Sequence, residues 1–74
     1  MDKIRWGILS TGTIAQNFAA TARAMGDITL HAVASRGKAA ADAFADAYGI
    51  AVRHGSYEAL AAEPDVDIVY VATP

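Results

Sequence analysis

Two groups of residues carry the chemistry available to this sequence: Ser10-Thr11-Gly12-Thr13-Ile14-Ala15, and Ser35-Arg36 about twenty residues later. The first group follows the apolar run Trp6-Gly7-Ile8-Leu9 and leads into a stretch with helical spacing. A turn of small residues at a helix start can gather backbone amides around an anion, and the helix dipole favours negative charge there. The second group follows Ala32-Val33-Ala34 and offers a hydroxyl and a guanidinium. A strand, a small-residue turn opening a helix, and polar side chains closing the next strand together seat a pyrophosphate and grip an adenosine ribose.

The fingerprint G-x-G-x-x-G/A falls on Ser10, Gly12 and Ala15. Gly12 would let phosphates approach the backbone, and Ala15 would let the helix pack closely on its strand. Ser10 stands where glycine is usual, so it must take up the turn geometry at some conformational cost. The hydroxyls of Ser10 and Thr11 could donate to phosphate oxygens, and Thr13 and Ile14 complete the candidate cradle. At the end of the second strand, NAD-binding chains place an acid on the ribose 2′-hydroxyl. Here Arg36 can instead make charge-assisted hydrogen bonds to a 2′-phosphate. At roughly 1.5–3 kcal/mol each, such bonds give about a ten- to hundredfold preference. Lys38 would add to the same field. The expected cofactor is therefore NADP, with NAD second.

The elements that must hold these residues alternate regularly. Lys3 to Leu9 reads as a buried strand. Ile14, Phe18, Ala22 and Met25 recur at helical spacing, with Gly26 placed as a C-cap. A second strand spans Ile28 to Ala34, and an Ala-rich helix runs from about Gly37 to Tyr48, closed by Gly49. Ile50 to Val52 is expected as a short third strand. Ser56 can cap a third helix through Leu60 and Ala61, with Glu58 suited to the dipole and Pro64 ending it. Ile68-Val69-Tyr70-Val71-Ala72 has the unbroken apolar character of a central parallel strand covered on both faces. The class is α/β: a Rossmann-like parallel sheet in the order 3-2-1-4, one half of a doubly wound domain. This order sets Ala72, Thr73 and Pro74 beside Ser10 to Thr13, across the crevice where the winding reverses. Thr73-Pro74 also reads as a simple strand end, since proline cannot continue a ladder, and for Thr73 the two readings stand equal.

Composition narrows the function further. Seventy-four residues form one small unit with a net charge of −2, which argues against a general nucleic-acid binder. There is no cysteine, so disulfides and thiolate metal sites are excluded. No apolar run is long enough for a spanning helix, and no signal peptide is recognisable, so a cytoplasmic setting is expected. His31 and His54 share no metal-ligand spacing; the first is expected packed or partly exposed in a strand, the second in a loop. Asp65 and Asp67 would enter the last strand at the end away from the cofactor. Tyr48, Tyr57 and Phe44 suit helix packing. No catalytic residue and no metal site are assigned. The last strand would be left with an open edge, an invitation to homo-oligomerisation or edge-strand pairing.

Four segments, in order and spacing, resemble the N-terminal domain of the glucose–fructose oxidoreductase/inositol dehydrogenase (Gfo/Idh/MocA) family. They are Trp6 to Ala15, Val33-Ala34-Ser35-Arg36, Gly55-Ser56-Tyr57-Glu58-Ala59-Leu60, and Asp65 to Pro74. The resemblance covers essentially the whole chain, with the sugar and dihydrodiol dehydrogenases that favour NADP nearest in flavour. It implies that the loop holding Ala72, Thr73 and Pro74 lies along the cofactor near its pyrophosphate and nicotinamide ribose. It further implies hydride transfer between a nicotinamide and a sugar-like or cyclic polyol substrate. The family's lysine, usually in a Glu-Lys-Pro motif, would lie beyond these residues, as would a C-terminal α+β substrate domain. The chain alone is then expected to bind rather than turn over substrate. A non-catalytic NADP-binding regulatory module is the alternative. An S-adenosylmethionine-dependent transferase fits less well, because Arg36 stands where that class wants an acid.

Overall fold

The structure, a computed structural model, describes residues 4–72. Four strands and three helices alternate: β1 (Ile4–Leu9), α1 (Thr13–Met25), β2 (Ile28–Ala34), α2 (Lys38–Tyr48), β3 (Val52–His54), α3 (Tyr57–Ala61) and β4 (Ile68–Val71). The strands form one parallel sheet in the order β3-β2-β1-β4, as the alternating pattern requires.

Sheet and helices bury two apolar layers. On one face Ile8 and Val33 meet Ala15 and Ala19 of α1, Phe44 and Ala45 of α2, and Ile50, with Phe18, Tyr48 and Tyr70 packed around them. On the other face Ala32 and Ala34 meet Leu60 of α3, flanked by Val52, Tyr57, Val66 and Val69. The small alanines on α1 and α2 let both helices lie close to the strands. Gly7 does the same for the second face: a Cβ there would come 3.0 Å from Leu60 Cδ1 and 3.2 Å from Val66 Cγ1. Phe44 and Tyr48 are in tilted ring contact at 4.8 Å, and Tyr57 joins the second layer. These three rings thus serve packing, as their helical spacing predicts.

Gly26 and Gly49 end α1 and α2 with φ of 75° and 71°, the left-handed conformation that glycine adopts without penalty. Ser56 caps α3 by accepting from the Ala59 amide at 3.2 Å. The third strand departs from expectation. It spans Val52–His54, not Ile50 to Val52, because Ile50 belongs to the end of α2: its amide donates to the Ala45 carbonyl at 2.9 Å and its side chain enters the core. His54 accordingly lies in a strand, not a loop. β4 is likewise not a covered central strand among the described residues. It pairs with β1 alone, and its Val71 is 65% exposed.

At the amino end of the sheet, Arg5 fastens β4 to β1. Its Nη2 and Nε reach the two carboxylate oxygens of Asp67 at 3.2 and 3.3 Å, and its amide donates to Oδ2 at 2.8 Å. The Asp67 amide returns a bond to the Arg5 carbonyl at 2.8 Å. Asp65 adds a 3.7 Å ion pair. Arg53 joins β3 to α2 through Asp46 at 2.6 Å and the Ile50 carbonyl at 2.8 Å.

Candidate dinucleotide-binding site

Three backbone bonds align the carboxyl ends of all four strands. Ala72 donates to the Leu9 carbonyl at 3.1 Å, Ser10 to the Ala34 carbonyl at 2.8 Å, and Ser35 to the His54 carbonyl at 3.1 Å. The chain therefore leaves β1 and β2 at the same level, with the loop after β4 on one side and that after β3 on the other.

The turn after β1 carries the sequence-predicted residues. Ser10 has φ 105°, the left-handed region in which a side chain is disfavoured, so it does occupy a glycine-like position. Gly12 is the N-cap of α1 in an extended conformation and is exposed. A Cβ built on Gly12 would find a single neighbour within 4 Å, Ser10 Oγ at 3.9 Å. No protein group fills the space in front of it. The first intrahelical bond runs from Gln16 to the Gly12 carbonyl at 3.0 Å, which leaves the preceding amides without intrahelical acceptors. The N-cap residue offers no side-chain cap and the first turn holds no acidic residue; the Gly12 amide itself has a long 3.4 Å bond to Ser10 Oγ. Thr13 and Ile14 are exposed beside it, Ile14 by 55%. Ser10 and Thr11 are half-buried.

The loop after β2 supplies the positive charge. Ser35 is half-buried and Arg36 exposed. Among the described residues, Arg5, Arg23, Lys38 and Arg53 each have a carboxylate or carbonyl partner, and Arg36 has none. Lys38 behaves differently from expectation in one respect: its Nζ pairs with Asp42 at 3.0 Å across one turn of α2, so its charge is partly spent within the helix. Sequence reasoning gave Gly55 no role. A Cβ there would come 3.3–3.5 Å from Lys38 Cβ, N and Cα, so a glycine lets the β3–α3 turn close against the start of α2.

Ala72 is buried at the end of β4, beside the β1 turn through its bond to Leu9. Thr73 and Pro74 lie outside the described residues. His54 meets this edge through its backbone carbonyl, which accepts from Ser35. His31 is the extra residue of β2 where the register with β1 shifts between Trp6 and Gly7. His54 Nε2 lies 3.9 Å from Glu63 Oε1, at the limit of an ion pair and beyond a hydrogen bond. Asp65 and Asp67 occupy the opposite end of the sheet, paired with Arg5.

A parallel sheet in this order, with an uncapped helix start behind its first strand and a polar loop behind its second, defines a dinucleotide-binding Rossmann domain. Residues 4–74 match the Gfo/Idh/MocA oxidoreductase family model, described as an NAD-binding Rossmann fold, and the chain belongs to that family. It is 42% identical over 72 residues to trans-1,2-dihydrobenzene-1,2-diol dehydrogenase of Danio rerio, covering 95% of this chain and 22% of that protein. The human protein of the same name is 38% identical over 72 residues, with the same coverage. Among solved structures, KijD10, a 3-ketoreductase from Actinomadura kijaniata in complex with NADP, superposes with a TM-score of 0.90 at 31% identity, covering 99% of this chain and 23% of that one. The chain thus spans less than a quarter of the length of these relatives. Among the described residues no helix is long and apolar enough to cross a membrane.

Proposed function

We propose that this chain holds NADP, in preference to NAD, for an oxidoreductase acting on a sugar-like or cyclic polyol or dihydrodiol substrate. The observation that carries the reading is the pairing of an uncapped, sterically open α1 start with an unpartnered Arg36, joined through the Ser10–Ala34 bond. The residues fit the cofactor on their own chemistry. Gly12, Thr13 and Ile14 present amides and a positive helix end to the pyrophosphate, and the Thr11 hydroxyl adds a donor. Ser35 and Arg36 hold the adenosine ribose and its 2′-phosphate, with Lys38 contributing at longer range. Ala72, buried beside the β1 turn, belongs to the opposite wall. When bound, the nicotinamide supplies hydride transfer, and these residues fix where it stands.

Two features of the relatives support the substrate and cofactor classes: the dihydrodiol dehydrogenase names, and the NADP in the KijD10 complex. None of these residues is proposed to move the hydroxyl proton or to bind the substrate. The open edge of β4, with Ile68 and Val71 exposed, is where a further strand or a second copy pairs. The setting is the cytoplasm.

Amide chemical shifts of the labelled protein titrated with NADP test the site. Shifts should concentrate at Thr11 to Ile14, Ser35 and Arg36, and leave Asp65 and Asp67 unmoved. Perturbation centred on the Arg5–Asp67 end would contradict the assignment.

A further inference from the structure

Ser10 is the single non-glycine residue with positive φ among the described residues. Its neighbours hold it there: its own amide is fixed to Ala34, and the Leu9 carbonyl before it accepts from Ala72. A strained conformation over-determined by its surroundings often has a functional purpose. The Ser10 side chain suggests what that purpose is. Its Oγ accepts a long hydrogen bond, 3.4 Å, from the Gly12 amide, and it is the one atom near the otherwise open face of Gly12.

We propose that Ser10 is an affinity-setting residue of the phosphate cradle, its hydroxyl holding the Gly12 amide in the free protein and yielding it to a diphosphate. The inference rests on the reading of the α1 start as the diphosphate site. A neutral oxygen at 3.4 Å is a weak acceptor, and an anionic oxygen makes a shorter, stronger bond to the same amide. The exchange favours the anion, but the internal bond must be given up first. Ser10 therefore weakens diphosphate binding relative to a residue without a hydroxyl, by about two- to tenfold for one hydrogen bond.

The test compares the unaltered chain with Ser10→Ala and Ser10→Gly. Calorimetric titration uses NADP and, separately, inorganic pyrophosphate; amide exchange is read at Gly12 by NMR. Ser10→Ala, which keeps the side-chain crowding and removes the acceptor, should bind both probes about two- to tenfold more tightly. Its Gly12 amide should exchange faster. Ser10→Gly should raise the melting temperature, because the positive φ no longer carries a penalty; a lowered one would contradict the strain. Weaker binding by Ser10→Ala would overturn the proposal and make the hydroxyl a direct phosphate ligand. Unchanged affinity, with the unaltered chain binding normally, would overturn it alone. Failure of the unaltered chain to bind either probe would overturn the site reading as well.

Discussion

The amide of Ser10 donates to the carbonyl of Ala34 at 2.8 Å. That bond couples the two halves of the candidate site. One residue beyond Ala34 the chain turns towards Arg36, and one residue beyond Ser10 it turns towards Gly12. The open helix start at Gly12 and the Arg36 cation, separated by more than twenty residues in sequence, are thereby started from adjacent rungs of one ladder. The proposed dinucleotide site rests on neither the turn nor the loop alone but on their common level.

Gly12 should separate stability from binding. No protein atom needs the space of its missing side chain except a 3.9 Å contact with Ser10 Oγ, and its φ of −75° suits any residue. Gly12→Asp would cap α1 and complement its dipole, so stability should hold or rise by about 0.5–1 kcal/mol. The same carboxylate would stand at the proposed pyrophosphate position. Thermal melting with parallel NADP titration should show an intact fold and lost binding.

Gly7 should behave in the opposite sense. Its missing Cβ is the room that Leu60 and Val66 use. Gly7→Ala should destabilise the fold by about 1–3 kcal/mol, the usual cost of overpacking a filled core. Denaturant unfolding would show it as a lower midpoint with unchanged slope.

The Arg5–Asp67 clamp predicts a response to acid. Hydrogen bonds from the Arg5 side chain, then from its amide, hold the Asp67 carboxyl below the usual aspartate range. A carboxyl with a depressed folded-state pKa contributes stability that is complete above its unfolded value, about 3.9. The contribution disappears as pH falls through the folded-state value. Stability should therefore drop below about pH 4, and the drop should be shallower in Asp67→Asn. The pair is exposed, so added salt should weaken the effect.

Most of the fold was legible because its periodicities are clean. The second strand, Ile28–Ala34, and the C-cap glycines Gly26 and Gly49 stand where the pattern put them. The exception is instructive. Ile50 is apolar and β-branched, hence strand-like in isolation, yet tertiary packing assigns it to the base of α2, and the ladder passes to Val52, Arg53 and His54. At the candidate site, the placement of Gly12 at the start of α1 and of Arg36 just beyond β2 was legible from residue type and spacing. The Lys38–Asp42 pairing and the room that Gly55 gives to the start of α2 were not, because they depend on how α2 meets the β3–α3 turn, a relation with no local signature.

Arg36 is proposed to read a phosphate that NADP has and NAD lacks. Calorimetric titration of both dinucleotides into the unaltered chain and Arg36→Ala tests this directly. The dissociation constant for NADP should rise by about ten- to a hundredfold, while that for NAD changes little. Equal losses for the two, or none for NADP, would contradict it.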